Sequence, residues 1–217
     1  MYEIAVVFTG GDAPGQDSVA DLPGDRFVVA ADAGLAHARD LGIAVDVAVG
    51  DFDSVSDEVL SDAAARGVQV LRHPRAKDQT DLELALDLAV GSGAPRILVV
   101  GGQGGRLDHS LGNVASLVTP RLVTRHVEAR SGRSRIFVAR TETTFTGVPG
   151  EYVSLLAWQG PARGVRTEGL RWSLAGEQLE PGSSLGLSNE LIGTEGRVAL
   201  DAGVLLVVLP GELAHPV

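Results

Sequence analysis

The first half of the chain alternates short apolar runs with amphipathic stretches. The runs are rich in β-branched residues and nearly continuous, which is typical of strands buried on both faces: EIAVVF, RFVVAA, VDVAVG, VQVLRH and RILVVG. Helical patterns lie between them, in GLAHARDLG, SDEVLSDAAARG, TDLELALDLAVGSG and from about 108 to 117. Strands that alternate with helices of this length predict an α/β fold, a doubly wound and mainly parallel sheet with helices on both faces.

The pattern changes after about Pro120. Helical periodicity disappears, and strand-like pieces follow in SRIFVAR, EYVSLLAW, ARGVRTEGL and GRVALDAGVLLVVLP, separated by turns rich in Gly and Pro. Such a series predicts an antiparallel β-sandwich. We therefore predict an α/β domain over residues 1–125 and a C-terminal β-sandwich domain over residues 130–217.

Composition and charge narrow the classes of function. The 217 residues include 28 acidic and 18 basic side chains, so the net charge of −10 repels nucleic acid and anionic membranes, and we expect neither as a partner. The absence of cysteine excludes disulfides and thiol catalysis and fits a cytoplasmic protein. The N-terminus has the pattern of a first strand rather than a signal peptide, and no apolar run is long enough for a membrane helix.

Polar residues come directly after four of the predicted strands. Asp32 follows one strand, Asp51 and Asp53 follow the next, and the segments RAKDQTD and GGQGGRLDH follow two more. Because ligands of parallel sheets bind outside the carboxyl ends of the strands, we expect these residues to converge on one site.

The carboxylates in this set suggest a metal. Asp51, Asp53, Asp78 and Asp81 would repel one another if they were crowded without a cation, and Mg²⁺ prefers hard oxygen ligands together with substrate phosphates. The alternative is that each aspartate serves only as a helix cap or turn residue.

Two further segments carry candidate binding groups. In GGQGGRLDH, glycines such as Gly104 allow a close backbone approach, the helix start offers free N–H groups, and Arg106 can hold a phosphate, although an ordinary turn explains the same pattern. In the second half, Trp172 can stack on a flat heterocycle while Ser188 and Asn189 hydrogen-bond to its ring, although composition alone favours a sandwich core and a turn as the explanation of these residues.

Four motifs in this order resemble the thiamine pyrophosphokinase family in its bacterial form. They are GDFDS at 50–54, KDQTDLELAL at 77–86, GGRLDHSLGN at 104–113 and SSLGLSNE at 183–190, and the resemblance extends over nearly the whole chain. It implies an enzyme that uses Mg²⁺ to transfer the β,γ-diphosphate of ATP to the hydroxyl of thiamine, which gives thiamine diphosphate and AMP. It also implies a homodimer with active sites at the subunit interface.

The resemblance assigns roles to individual positions. The residues that it places around the metal are Asp51, Asp53, Asp78 and Asp81. It assigns catalytic roles to the same four aspartates and also to Arg106 and Asp108. The residues that it places around the nucleotide are Asp32, Thr80, Gly104, Arg106 and His109. Those that it places around thiamine are Trp172, Ser188 and Asn189. The chain departs from the family pattern at Ala33, where a glycine is usual, and at Gly186, where a serine is frequent.

Alternatives remain at this point. Asp81 and Asp108 are both candidates for a general base, and a loose transition state does not require a strong one. The acidic motifs would also serve a diphosphokinase for another heterocyclic alcohol, such as a hydroxymethylpterin. A protein of the same fold that binds thiamine and nucleotide without catalysis would carry the same motifs as well.

Overall fold

The computed structural model describes residues 1–213 and divides the chain into two compact units, Met1–Gly132 and Arg133–Val217. A strand at His126–Ser131 spans the gap between the two predicted domains and pairs with a strand of the first unit. Among residues 1–213, no helix has the length and apolar character needed to cross a membrane.

The first unit contains a six-stranded parallel sheet. Its strands are β1 Ile4–Phe8, β2 Arg26–Ala31, β3 Val47–Gly50, β4 Gln69–Arg72, β5 Arg96–Val100 and β6 His126–Ser131. Its helices are α1 Gly34–Asp40, α2 Asp57–Ala65, α3 Asp81–Gly91 and α4 Leu107–Ser116. The strand order is β6-β5-β1-β2-β3-β4, which confirms the predicted mainly parallel α/β fold.

The central strands are buried on both faces. In β1, Val6 and Phe8 pack in a cluster with Ala38 of α1, and the alternate residues Ala5 and Val7 are also fully buried. Successive side chains of a strand point to opposite faces, so the sheet needs a cover on each side, and α3 contacts β1, β2 and β3. The chain reverses its direction across the sheet between β1 and β5, and such a switch point leaves a crevice at the carboxyl ends of the strands.

The second unit contains two four-stranded antiparallel sheets, in the orders β12-β9-β14-β7 and β11-β10-β13-β8. Their strands are β7 Ser134–Ala139, β8 Glu142–Thr146, β9 Tyr152–Ala157, β10 Ala162–Glu168, β11 Ala175–Leu179, β12 Asn189–Glu190, β13 Glu195–Ala199 and β14 Leu205–Leu209. One buried cluster joins residues of both sheets, including Leu155 and Val207 from one and Phe145 and Val165 from the other. This arrangement is the predicted sandwich.

The apolar segment GRVALDAGVLLVVLP is divided between the two sheets, because β13 belongs to one sheet and β14 to the other. The chain turns at Gly203, whose φ is 99°, and a Cβ there would lie 2.5 Å from the carbonyl oxygen of Pro161. Only glycine fits such a turn without strain. The pattern of apolar residues alone does not reveal this break.

Helix α3 begins with a capping box, as its sequence predicts. The Thr80 hydroxyl accepts a hydrogen bond from the Glu83 N–H at 3.2 Å, and the Glu83 carboxylate accepts one from the Thr80 N–H at 2.9 Å. Both bonds satisfy backbone donors that the helix leaves free. The cap fixes the start of α3 and therefore the position of Asp81, its first residue.

We expect Thr80→Ala to lower the free energy of unfolding by about 1 kcal/mol, because the Glu83 N–H loses its acceptor. Urea titration of the variant and of Thr80→Ser, which keeps the hydroxyl, measures this effect. An equal loss of stability in both variants would show that the methyl group, not the cap, carries the contribution of Thr80.

Candidate active site

A cleft of about 820 Å³ opens beside the carboxyl ends of the strands in the first unit. Residues that follow β1, β2, β3 and β5 line it, together with residues at the starts of α3 and α4. Of the predicted site residues in this unit, all except Asp78 line the cleft. The topology therefore brings together residues that are far apart in the sequence.

Phe52 anchors the two aspartates that follow β3. Its ring is only 4% exposed and packs in the core cluster with Leu35 and Leu60. Its φ of 57° lies in the left-handed region, which is unusual for a bulky side chain and indicates strain held by the surrounding packing. Burial of Phe52 leaves Asp51 and Asp53 at the lining of the cleft.

Three carboxylates converge at this point. Asp32, Asp51 and Asp53 each offer an oxygen, and these oxygens lie within 4.8 Å of one another. Asp32 Oδ2 accepts a hydrogen bond from the Ser54 hydroxyl, whereas Asp32 Oδ1 is buried and has no hydrogen-bond partner in the described part of the chain. An unpartnered oxygen within a set of hard oxygen donors fits a divalent cation such as Mg²⁺.

Asp81 joins this cluster through a lysine. Lys77 Nζ lies 3.0 Å from Asp81 Oδ1 and 3.8 Å from Asp51 Oδ2, and the lysine side chain is only 14% exposed. Asp78, in contrast, is exposed and does not line the cleft. The non-helical Thr80, with ψ of 161°, separates the loop that carries Asp78 from the helix that carries Asp81.

Burial raises the pKa of Asp32 above its ordinary value, and the negative charges of Asp81 and Asp51 raise it further. Hydrogen bonds from Ser54 and from the Ala33 N–H act in the opposite direction without cancelling the effect. Asp32 also has a φ of 45°, so its backbone is in the left-handed region. A carboxylate held with this strain and this desolvation is typical of a functional position.

Arg106 and Asp108 form an exposed ion pair at the start of α4. The guanidinium forks onto the carboxylate, with Arg106 Nε 3.1 Å from Asp108 Oδ1, and the His109 N–H donates to the same carboxylate at 3.0 Å. The hydrogen bond from Arg106 lowers the pKa of Asp108 to about 2. Asp108 is therefore a weak proton acceptor near neutral pH, which argues against its predicted candidacy as a general base.

The three predicted residues of the second unit lie close together. Trp172 is 54% exposed, with the Arg171 guanidinium 5.2 Å from the centre of its ring. Ser188 has a φ of 53°, and its N–H donates to the Ser154 hydroxyl. The structure thus presents an open indole surface beside a strained turn.

Asn189 is only 4% exposed, and its amide group holds the backbone of Trp172. Asn189 Oδ1 accepts hydrogen bonds from the Trp172 N–H at 3.1 Å and from the Glu190 N–H at 2.9 Å, and Nδ2 donates to the Trp172 carbonyl at 2.7 Å. These bonds indicate that Asn189 orients Trp172, a contact that the sequence motif does not reveal.

Lys77 and Ser54 contact the acidic cluster as well, although the sequence motifs that contain them indicate no role for either residue. Ser54 donates to Asp32, and Lys77 contacts two carboxylates of the cluster. One signal for Lys77 is available in the sequence, because it is the only lysine among 18 lysine and arginine residues. Nothing comparable marks Ser54.

Two family models match the chain in succession. The description "Thiamin pyrophosphokinase, catalytic domain" matches residues 22–128, and "Thiamin pyrophosphokinase, vitamin B1 binding domain" matches residues 135–205. The thiamine pyrophosphokinase of Bacillus subtilis is 29% identical over 185 residues, which are 83% of this chain and 85% of the relative. Thiamine pyrophosphokinase 1 of Oryza sativa subsp. japonica is 26% identical over 174 residues, 75% of this chain and 65% of the relative.

Solved structures agree with these matches. The crystal structure of thiamine pyrophosphokinase from Bacillus subtilis superposes with a TM-score of 0.84 at 28% identity and covers 97% of this chain and 99% of its own. The crystal structure of thiamin pyrophosphokinase from Geobacillus thermodenitrificans has a TM-score of 0.80 at 29% identity and covers 95% of this chain and 96% of its own. The Candida albicans structure, with 15% identity and a TM-score of 0.73, shares the fold.

The raised pKa of Asp32 predicts a pH-dependent effect of Asp32→Asn on stability. A carboxyl whose pKa is raised by folding stabilises the protein below its ordinary value of 3.8, and this contribution is lost as the pH rises through the folded pKa. Asparagine tolerates left-handed backbone and carries no charge. We therefore expect the variant to gain stability relative to the wild type as the pH rises from about 3 to 7.

Melting temperatures of both proteins across this pH range provide the measurement. A stability difference that is constant with pH, or that favours the wild type increasingly toward neutral pH, would contradict the assignment of a raised pKa to Asp32.

Proposed function

The chain belongs to the thiamin pyrophosphokinase family, and we propose that it transfers the β,γ-diphosphate of ATP to the hydroxyl of thiamine, giving thiamine diphosphate and AMP. The observation that carries this proposal is the succession of the two matches, catalytic and vitamin B1 binding, over most of the chain. The acidic cleft lies within the segment that matches the catalytic domain, apart from its residues near β1.

We propose that Mg²⁺ binds at the carboxylates of Asp32, Asp51 and Asp53, with Asp81 close to them. The convergent oxygens and the unpartnered Asp32 Oδ1 support this ligand set. Asp78, which the sequence motif also suggested, is exposed outside the cleft and is not part of this proposal. When bound, the cation would neutralise charge on the polyphosphate and help to align it.

The nucleotide phosphates then need cationic and N–H donors in a chain of negative net charge. Arg75, Lys77 and Arg106 line the cleft, and the start of α4 carries free backbone N–H groups. Arg106 has a fork geometry suited to phosphate, and its exposed bond to Asp108 is exchangeable for one to the nucleotide. Gly104 and His109 lie beside it in the same lining, as does Thr80 at the start of α3.

The chemistry requires mainly alignment and charge neutralisation. Transfer to an alcohol through a loose transition state needs little help from a base, and Asp108 is a poor one as long as the hydrogen bond from Arg106 keeps its pKa low. The residues of the cleft would act by holding the polyphosphate in line with the attacking hydroxyl. Asp81 stays a candidate for receiving the proton of that hydroxyl.

Thiamine recognition is proposed for the second unit, in the segment that matches the vitamin B1 binding domain. The half-exposed Trp172 indole offers a flat surface for an aromatic ring, with Arg171 stacked beside it. Asn189 supports this surface by its bonds to the Trp172 backbone, and Ser188 adds a hydroxyl nearby in sequence. Gly186 has a φ of 96°, so a serine side chain at this position would be strained.

We also propose a cytoplasmic homodimer whose active sites are completed at the subunit interface. Helix α4 has no buried residue, and Leu107 and Leu111, one turn apart, are 72% and 55% exposed. In the second unit, Leu185, Leu187 and Ile192 are also exposed. Uncovered apolar side chains of this kind favour contact with a second copy of the chain. Light scattering after gel filtration measures the mass of the assembly.

The direct test is product analysis with ATP, Mg²⁺ and thiamine. We expect thiamine diphosphate and AMP in equal amounts, and no AMP when a hydroxymethylpterin replaces thiamine. AMP with the pterin alone would reassign the substrate. Binding of thiamine and ATP with no AMP at any metal concentration would indicate a non-catalytic protein.

We expect Asp51→Asn to lower turnover at least about a hundredfold, because it removes a charge from the ligand set for the metal. Its melting temperature should stay within a few degrees of that of the wild type. Asp57→Asn is the matched control, since Asp57 is 96% exposed at the start of α2 and does not line the cleft. Full activity per folded molecule in Asp51→Asn would disprove the assignment.

Trp172→Ala should raise KM for thiamine about tenfold and leave KM for ATP unchanged, because it removes the stacking surface. Trp172→Phe keeps an aromatic ring and should stay closer to the wild type. Steady-state kinetics with each substrate varied in turn measure both constants. Equal changes of the two KM values would place Trp172 outside thiamine recognition.

A further inference from the structure

Lys77 is the only lysine in the chain, because the other 17 of its 18 lysine and arginine residues are arginines. It is also one of the least exposed cations, with 14% of its side chain accessible. Arginine and lysine differ physically, because an ammonium is a compact point charge with three donors and a guanidinium is a broad planar fork. The position of the single lysine therefore calls for an explanation by its surroundings.

These surroundings match an ammonium group. Lys77 Nζ contacts three oxygens: Asp81 Oδ1 at 3.0 Å, Asp51 Oδ2 at 3.8 Å and the Pro74 carbonyl at 3.3 Å. The carboxylates of Asp51 and Asp81 are 16% and 25% exposed, so little solvent screens their charges. The Arg75 contact with Asp53 is different, because the Arg75 side chain is 82% exposed.

The Lys77 ammonium contacts Asp51, which is one of the proposed metal ligands. Asp51 is one of the three residues whose oxygens converge within 4.8 Å, so a divalent cation held there would stand close to the Lys77 charge. Two positive charges that are close together and little screened by solvent repel each other strongly. A divalent cation there would therefore compete with the Lys77 ammonium for the negative charge of Asp51.

We propose that Lys77 is an exchangeable counter-ion of the acidic cluster. Its ammonium offsets part of the negative charge of Asp51 and Asp81 in the free protein, leaves Asp51 when a divalent cation binds, and then pairs with the phosphates of the nucleotide in the same cleft. This inference rests on the proposed function for the presence of metal and nucleotide. It adds a role for a residue that the acidic motifs do not assign.

The exchange explains two features together. In the free protein, Lys77 supplies a positive charge to both Asp51 and Asp81 from within the chain, in addition to the exposed Arg75 on Asp53. With the metal bound, the ammonium is still attached to a loop that lines the cleft, where anionic phosphate replaces the carboxylate as its partner. A permanent structural ion pair is the alternative, and it predicts that Lys77 does not respond to ligands.

Amine labelling of the wild-type protein separates these cases, because the chain contains only two kinds of amine, the N-terminus and Lys77. Reductive methylation followed by mass spectrometry gives the rate at which each of these two amines is methylated. We expect Lys77 to react slowly in the free protein, several-fold faster with saturating Mg²⁺, and slowly again with Mg²⁺ and a non-hydrolysable ATP analogue. The N-terminal rate, which serves as the internal reference, should not change.

A Lys77 rate that is unaffected or decreased by Mg²⁺ alone would overturn the proposal, and so would a rate that stays high when the nucleotide analogue is added. Neither measurement uses thiamine. Failure of the product assay and failure of this inference are therefore distinguishable.

Metal affinity provides a second test, measured by electron paramagnetic resonance with Mn²⁺ in the absence of nucleotide. Lys77→Met removes the competing charge at similar length, so we expect it to bind Mn²⁺ several-fold more tightly than the wild type. Lys77→Arg keeps a positive charge and should show no such gain. Equal or weaker binding in Lys77→Met, or no binding in any of the three proteins, would overturn the proposal.

Discussion

The repulsion between crowded carboxylates is the constraint on which the candidate site depends. The sheet of the first unit places Asp32 and Asp51 at the carboxyl ends of neighbouring strands, and Asp53 and Asp81 complete the group. Their mutual repulsion is tolerable only if a cation is close to them. The structure meets this need with the Lys77 ammonium, and the proposed reaction would meet it with Mg²⁺ and the phosphates that accompany the metal.

The backbone that holds this group is strained, and the core supports the strain. Phe52 and Asp32 both have positive φ values, and Phe52 is held by a core cluster between the sheet and two helices. Phe52 lies in the core between the two aspartates and fixes the backbone that carries both, and Asp51 Oδ1 also accepts a hydrogen bond from the Asp53 N–H at 3.2 Å. Stability is thus provided by apolar packing, while the carboxylates stay available for charge and metal. This division explains why a hydrophobic strand ends in two acidic residues.

Much of the fold follows from the sequence because its main signals are local. Continuous apolar runs predict the parallel strands, and the spacing of Thr80 and Glu83 predicts the start of α3, which the structure confirms. Strands β8 and β11 are less visible, since they lie at the edges of their sheet and only one of their five residues is buried in each. Their polar sequences, ETTFT and AGEQL, carry no continuous apolar run.

Details of the site depend on contacts between residues that are distant in the sequence, and the sequence does not reveal such contacts. Asp78 and Asp81 are only three residues apart, yet the non-helical Thr80 between them leaves one in solvent and the other in the cleft. Asn189 carries an amide that could bind a ligand, but this amide forms hydrogen bonds to the backbone of Trp172, which is distant in the sequence. In both cases the decisive factor is the direction of a backbone segment, which residue types alone do not specify.

The central claim is that the acidic cluster binds a divalent cation together with a nucleotide. A crystal structure with Mn²⁺ and a non-hydrolysable ATP analogue tests it most directly, because the anomalous signal of Mn²⁺ locates the ion independently of the protein. We expect a peak within bonding distance of Asp51 and Asp53 oxygens and of the nucleotide phosphates. A nucleotide bound in the cleft with no ion at these carboxylates would contradict it.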